Sequence, residues 1–111
     1  MSHRSPRLPS ISHLQFLALG VLLGRERAGR AIREQVARFG VRRTGPAFYQ
    51  MMARLERDGL VEGWYQQIKV GDQAVKERHY RATAAGSRAW RETRSFYQAV
   101  SAGTIGRWSN A

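Results

Sequence analysis

Cationic and hydrogen-bonding side chains are concentrated where one helix of this sequence is expected to begin. Arg42, Arg43 and Thr44 come directly before Pro46, which is tolerated in the first turn because its missing N–H would have no partner there. Thr44 or Gly45 can cap that helix. Guanidinium groups and the free N–H groups of a helix N-terminus both bind phosphate oxygens. We therefore predict that Arg42, Arg43 and Thr44 contact a phosphate backbone; the alternative is a solvated loop.

The first two turns of the same helix carry side chains suited to the edges of DNA bases. Gln50 can form a bidentate pair with adenine, and Pro46 and Ala47 can contact the methyl group of thymine. If the partner is duplex DNA, these three residues are the candidates for base recognition.

The overall charge favours a polyanionic partner. Among 111 residues there are 19 Lys and Arg but only 8 Asp and Glu, which gives a formal net charge of +11. Such an excess favours binding to nucleic acid, although a solubilising surface is the simpler alternative. The length fits one compact domain.

Several classes of protein are excluded or disfavoured by what the sequence lacks. There is no cysteine, so disulfide scaffolds, thiolate metal sites and cysteine nucleophiles are excluded. His3, His13 and His79 are too scattered to suggest a zinc site, and no glycine pattern typical of nucleotide binding is present. Acidic residues are few and form no pair suited to acid–base catalysis. We therefore expect neither enzymatic activity nor a metal or other cofactor.

Hydrophobic periodicity and turn residues predict three short helices, a hairpin and a last helix. Ser10 or Ser12 can cap the first helix. The predicted helices cover residues 11–23, 28–39, about 45–57 and 84–100, and the predicted strands cover 60–70 and 74–82. The fold class is therefore mostly α with a β-hairpin wing (α+β), a winged helix-turn-helix in the order α-α-α-β-β-α. In this architecture the third helix enters the major groove.

The chain divides into four predicted segments. Residues 1–9 are expected to form a flexible arm, 10–82 the winged helix-turn-helix domain, 83–101 a dimerisation helix and 102–111 a loose tail. The apolar stretch 14–23 is too short to span a bilayer and is not followed by a signal-peptide cleavage site. We interpret it as a buried helix of a cytoplasmic protein that has no membrane association.

The predicted hairpin is a basic ribbon. Its flanks hold Lys69, Lys76, Arg78 and Arg81, and a wing of this kind usually lies along the phosphates or in a minor groove. Lys76 and Arg78 lie on one strand face, and they are the candidates for DNA contact in the wing.

Two stretches resemble signatures of the PadR-like transcriptional regulators. Residues 45–49 (GPAFY), followed by 54–61 (RLERDGLV), resemble the recognition helix of that family. Residues 79–86 (HYRATAAG) resemble its junction between the wing and the last helix. The resemblance covers about residues 14–97 and fits the short-tailed branch of the family, which has a single C-terminal helix.

The resemblance implies a homodimeric DNA-binding repressor that acts on one or a few promoters of a prokaryotic cell through a palindromic operator. Tyr49 resembles the family tyrosine that hydrogen-bonds the DNA backbone; the alternative is a half-buried ring against the second helix. Arg54 matches a family arginine but could instead pair with Glu34 or Asp58. Many members respond to a small aromatic or lipophilic effector held in or near the dimer interface.

The last helix is the predicted dimer contact, because its apolar stripe has little left to cover in so small a monomer. The family precedent pairs this helix with the first helix of the other subunit. Trp90 lies beside the stripe, where it could form one wall of an effector site or simply pack in the interface. The candidate interface residues are Leu14, Ala89, Trp90, Thr93, Phe96, Tyr97 and Val100.

A second hypothesis, from a different class, stays open. The high positive charge also fits a basic winged helix that coats DNA without a fixed operator, or a winged helix that binds another protein. A specific regulator differs from a DNA coater by its palindromic footprint and by a preference above about a thousandfold for its operator.

Overall fold

The computed structural model describes residues 9–104. Residues 1–8 of the predicted arm and 105–111 of the predicted tail lie outside the described residues. The elements are α1 His13–Leu22, β1 Arg27–Ala28, α2 Gly29–Arg38, α3 Gly45–Arg57, β2 Val61–Val70, β3 Gln73–Ala82, α4 Ala84–Ala99 and a π-helical turn Val100–Thr104. The predicted fold class, mostly α with a β-hairpin wing, is confirmed.

The short strand β1 is an element that the sequence did not predict. It adds to the hairpin as an antiparallel edge, with Arg27 opposite Tyr80 and Ala28 opposite His79. The three-stranded sheet therefore has the order β1-β3-β2. Two residues are too few to show the alternation of apolar and polar side chains that marks a strand, so only the tertiary structure reveals the pairing.

The start of α1 is fixed by Ser12 rather than by Ser10. The Ser12 hydroxyl accepts a hydrogen bond from the Gln15 amide at 3.1 Å, and the Ser12 amide donates to Gln15 Oε1 at 2.9 Å. This reciprocal pair is a capping box, which satisfies two backbone donors at once. The helix consequently begins at His13, two residues later than the apolar pattern suggested.

The core is built where the three N-terminal helices meet the base of the sheet. The three helices contribute fully buried side chains at helical spacing, and β2 adds one. The largest are Leu19, Leu22, Ile32, Val36, Phe48, Met52, Leu55 and Val61. Because α3 contributes three of these, its inward face is fixed, and its opposite face is left on the surface.

The helix α4 is joined to the rest of the fold through Thr83. Its hydroxyl donates to the Gly59 carbonyl oxygen at 2.6 Å and accepts from the Gly86 amide at 3.0 Å. The helix continues into the π-helical turn Val100–Thr104, so residues 102–104 of the predicted loose tail are helical. Among the described residues, no helix has the length and apolar character needed to cross a membrane.

Candidate nucleic-acid interface

Thr44 is the residue that caps α3. Its hydroxyl oxygen accepts a hydrogen bond from the Ala47 amide at 3.2 Å, and Pro46 lies in the first turn. The loop before the helix is held from the other side by Arg33, whose Nε and Nη2 atoms both donate to the Arg43 carbonyl oxygen, at 3.1 and 2.9 Å. The start of α3 is thus fixed by its own cap and by α2.

A concave basic surface lies beside this helix start. It encloses about 540 Å³ and is lined by Arg30, Arg33, Arg42, Arg43 and Tyr49, together with Glu34 and Ala37. We call it the arginine notch. Of its four guanidinium groups, only that of Arg30 is paired with carboxylates, so the notch is positive; Arg42 and Arg43 form no ion pair with any described residue.

Arg30 and Arg33 complete the notch, but they were not among the candidate site residues. Their spacing of three places both on one face of α2, as expected for a helix. That spacing is visible in the sequence, but it does not show that this face of α2 adjoins the loop before α3. The hydrogen bonds from Arg33 to Arg43 reveal that proximity.

Tyr49 combines the two interpretations that the sequence left open. Its ring packs edge-on against Phe48 with centroids 5.3 Å apart, and it closes over Gly29, where a Cβ would lie 2.7 Å from Tyr49 Cε1. The residue is nevertheless 37% exposed and borders the arginine notch. It is therefore both packed against the start of α2 and open to a ligand.

The rest of the outward face of α3 carries the predicted base-reading residues. Pro46, Ala47 and Gln50 are exposed on its first turns, and Arg54 is exposed one turn further on. Within residues 9–104, Arg54 forms no ion pair. The alternative partners proposed for it are engaged elsewhere, since Glu34 lies 4.0 Å from Arg30 and Asp58 lies 3.4 Å from Arg57.

The register of the hairpin divides the wing into two faces. Residues paired across an antiparallel ladder share a face, and the pairs include Tyr65 with Arg78, Gln67 with Lys76 and Lys69 with Ala74. We call these six residues the inner wing face, because the next pairs toward the base include the buried residues Tyr80 and Val61. Lys76 is exposed on this face, as its predicted role requires.

Arg78 lies on the inner wing face but is bound within the chain. One nitrogen of its guanidinium, Nη2, lies 2.7 and 2.9 Å from the two carboxylate oxygens of Glu56 on α3. The guanidinium also lies 4.9 Å from the Tyr65 ring centroid and 5.6 Å from that of Tyr80. Burial is the largest single influence and opposes the charge, but the interactions with Glu56 and Tyr80 together outweigh it and raise the pKa of Arg78. The DNA contact predicted for Arg78 stays a prediction; within the described chain, the carboxylate of Glu56 pairs with its charge.

A second ion pair fixes the opposite face of the wing base. Arg30 donates from Nε and Nη2 to Glu77 Oε2, at 3.1 and 3.0 Å, and His79 Nε2 lies 3.1 Å from the other oxygen. The hydrogen bond from Arg30 lowers the pKa of the Glu77 carboxyl, and His79 acts in the same direction. The neighbouring residues 77 and 78 thus tie the wing to α2 and to α3.

The predicted dimer residues lie along α4 and α1, but not all of them are on the surface. Trp90 stacks on Phe16 of α1, with centroids 5.6 Å apart and planes inclined by 9°. Tyr97 is 46% exposed, whereas Thr93 is only 3% exposed and donates to the Ala89 carbonyl oxygen. Thr93 is therefore part of the monomer's own packing. The half-buried members are Leu14, Ala89, Trp90, Phe96 and Val100.

Trp90 also forms one wall of a groove between α1, α2 and α4. The groove encloses about 360 Å³, and Phe16, Val21 and Phe39 supply other parts of its apolar lining. Arg27 borders it with a buried Nε that has no hydrogen-bond partner among the described residues. Within residues 9–104 there is no cluster of three or more His, Asp or Glu side chains suited to a metal ion.

Three helices with a capped, outward-facing α3 and a hairpin that carries two exposed lysines define a winged helix-turn-helix protein. No protein-family model matches the chain, and no curated protein sequence matches it. A crystal structure of a PadR family transcriptional regulator from Eggerthella lenta DSM 2243 is 26% identical, covering 86% of this chain and 80% of that chain with a TM-score of 0.65. The protein therefore has the fold of the PadR-like transcriptional regulators, and the resemblance predicted from its sequence is confirmed.

Two more solved structures share this fold at lower identity. A PadR family transcription regulator from Clostridium difficile R20291 is 14% identical, with 87% of this chain and 98% of that chain covered and a TM-score of 0.73. The Bacillus subtilis PadR, solved in complex with operator DNA, is 18% identical, with 73% of this chain and 46% of that chain covered and a TM-score of 0.59.

Proposed function

We propose that the protein is a DNA-binding transcriptional regulator with a non-catalytic role. It acts as a repressor and binds a palindromic operator as a homodimer. The observation that carries this proposal is the position of the arginine notch beside the capped start of α3. Cations and the positive end of the α3 dipole meet there at the edge of an exposed helix face, which suits a groove lined by phosphates.

The two parts of this surface have different tasks. Arg42, Arg43 and the start of α3 hold the phosphate backbone, which fixes orientation but carries no sequence information. Gln50 projects from the exposed face of α3, where its amide can pair with the edge of an adenine. Tyr49 lies between the two parts and adds a hydroxyl donor to the backbone contacts.

The proposed dimer uses the face that α4 shares with α1. Phe96, Tyr97 and Val100 lie near the C-terminal end of α4, and Tyr97 is exposed in the single chain. Contact with α1 of a second copy would cover this apolar surface. A twofold axis then relates the two α3 helices, and two related helices read a palindrome.

The groove beside Trp90 is the proposed effector site. Its aromatic and aliphatic walls suit a small aromatic or lipophilic molecule. A ligand can release DNA only if it binds the DNA-free arrangement more tightly than the DNA-bound one. The groove is lined by residues of α1 and α4, the helices of the proposed dimer contact. If this contact differs between the DNA-bound and the DNA-free dimer, a ligand in the groove binds the two arrangements with different affinity.

The experiment that tests the proposal is fluorescence anisotropy with duplex DNA from immediately upstream of the protein's own gene. A scrambled duplex of equal length is the control, and both are titrated across salt concentrations. Selective binding at physiological salt supports a specific regulator. Equal and steeply salt-dependent binding to both duplexes favours a general DNA coater, which the net charge of +11 would also explain. Binding to neither duplex contradicts the proposal.

A further inference from the structure

We infer that the inner wing face is the side of the hairpin that meets DNA, and that Tyr65 is a DNA-contacting residue of this face. We further infer that Glu56 and Arg78 position it. The inference rests on the proposed function and adds a contact surface to it. Three observations support it: the distribution of charge over the two faces of the hairpin, the exposure of Tyr65, and the contacts that link Tyr65 to α3.

The charges of the hairpin are divided between its two faces. Lys69 and Lys76 are exposed on the inner wing face, and neither forms an ion pair with a described residue. The outer face carries both carboxylates of the two strands, Glu62 and Glu77, and these pair with Arg81 and Arg30. A polyanion is therefore attracted to the inner wing face and not to the outer one.

Tyr65 is the aromatic side chain on that positive face. It is 68% exposed, although burying an aromatic ring is usually favourable. Its hydroxyl can donate to a phosphate oxygen, and its ring can pack against a sugar. The ring is held by the Arg78 guanidinium, whose carbon lies 4.9 Å from the ring centroid.

The orientation of Tyr65 is linked to α3 through a short chain of contacts. Glu56 of α3 bonds to Arg78, and Arg78 lies over the ring of Tyr65. Gly63 leaves room for this arrangement, since a Cβ there would lie 2.8 Å from Arg78 Nη2 and 3.0 Å from Glu56 Oε1. Glu56 and Arg78 are thus positioning residues that set Tyr65 relative to the recognition helix.

The length of the wing decides which part of the DNA it reaches. Each strand has ten residues, and ten residues of strand extend over about 33 Å. That is about one turn of the DNA helix. The tip of the inner wing face, at Lys69, therefore reaches DNA that flanks the segment read by α3, whereas Tyr65, the fifth residue of β2, lies only about 13 Å along the strand and close to α3.

The test compares Tyr65→Ala and Tyr65→Phe with Gln66→Ala, a matched control on the exposed outer face. Each variant is titrated with the operator alone and with the operator extended by about ten base pairs on each side. We expect Tyr65→Ala to bind the extended duplex about three- to tenfold more weakly than the unmodified chain. Tyr65→Phe should lose part of this affinity, and Gln66→Ala none. The short duplex should show the same order of affinities, because Tyr65 is linked through Arg78 to α3.

A double-mutant cycle tests the positioning role. Glu56→Gln should weaken binding to the extended duplex, but it should add nothing once Tyr65→Ala is present, because both changes act on the same contact. Glu62→Gln, which breaks the pair with Arg81 on the outer face, is the control. Thermal unfolding of each variant verifies that the fold is retained.

The outcomes separate the inference from the proposed function. If the unmodified chain binds neither duplex, the proposed function fails and the inference fails with it. If it binds its operator but Tyr65→Ala behaves like Gln66→Ala on the extended duplex, only the inference is overturned. Additive effects of Glu56→Gln and Tyr65→Ala would overturn the positioning role alone.

Discussion

The carbonyl oxygen of Leu60 occupies the space that a side chain at position 86 would need. A Cβ atom built on Gly86 would overlap this oxygen, and it would also lie 3.2 Å from Cδ2 of Leu19. The backbone of α4 therefore approaches the start of β2 so closely that only glycine fits. Thr83 holds the same junction by bonding to both Gly59 and Gly86. The packing of this junction thus explains why the HYRATAAG stretch has threonine at position 83 and glycine at position 86.

Gly86→Ala should destabilise the fold strongly. Alanine favours a helix over glycine by up to about 1 kcal/mol, but here the methyl group would displace backbone atoms. Overpacking typically costs about 1–3 kcal/mol, and we expect the upper end here because backbone atoms must move. Urea unfolding followed by circular dichroism measures the change. Ser95→Ala, at an exposed position of α4, is the control, and a Gly86→Ala variant as stable as this control would contradict the close approach.

Gly29→Ala should reduce DNA binding without unfolding the protein. The new methyl group would lie 2.7 Å from Tyr49 Cε1 and 2.9 Å from its hydroxyl oxygen, so the Tyr49 side chain must move. We expect the free energy of unfolding to change by less than about 1 kcal/mol, since a side chain yields more easily than backbone. Affinity for the operator should fall about as far as in Tyr49→Phe. Unchanged affinity in Gly29→Ala would show that the position of Tyr49 does not matter for binding.

The ion pair between Arg30 and Glu77 should make stability depend on pH in a defined range. Because the pKa of Glu77 is lowered by the hydrogen bond from Arg30, the folded state favours the ionised carboxylate. The resulting stabilisation is fully present above the ordinary carboxyl pKa of 4.5 and is lost as the pH falls through the lowered value. Glu77→Gln should therefore be less stable than the unmodified chain near neutral pH.

This difference between Glu77→Gln and the unmodified chain should shrink as the pH is lowered below 4.5, the ordinary carboxyl value. Urea unfolding at a series of pH values measures it. Glu92→Gln is the control, because Glu92 is exposed on α4 and forms no ion pair within residues 9–104. A difference that stays constant down to the acid transition would exclude the carboxylate charge of Glu77 as its source.

Local signals were sufficient to predict most of the fold. The apolar spacing of α2 and α3 and the cap Thr44 were sufficient to predict these two helices, since each signal depends on neighbours a few residues away. The strand β1 was missed because its pairing with Tyr80 and His79 is long-range. The ion pair of Arg78 was missed for the same reason, because its partner Glu56 lies 22 residues earlier in the chain. Charge in a sequence is visible, but its neutralisation by a distant residue is not.

Tyr97→Asp should convert the proposed dimer into monomers. Tyr97 is 46% exposed in the single chain, so the substitution leaves the monomer core intact but places a charge in the proposed interface. Ser95→Asp, also exposed on α4 but about half a helical turn away, is the control. Sedimentation velocity measures the mass of each variant. A Tyr97→Asp variant that sediments as a dimer would show that this end of α4 lies outside the interface.

Arg43→Ala should weaken binding to every duplex, because a phosphate contact carries no sequence information. Arg43 is exposed in the arginine notch, and loss of one phosphate contact reduces the slope of log K against log salt by about one. Arg88→Ala removes the same charge from the exposed surface of α4 and should leave the slope unchanged. Anisotropy titrations at four or more salt concentrations, about 50 to 200 mM, give both slopes. Equal slopes for Arg43→Ala and the unmodified chain would mean that the guanidinium of Arg43 does not contact a phosphate.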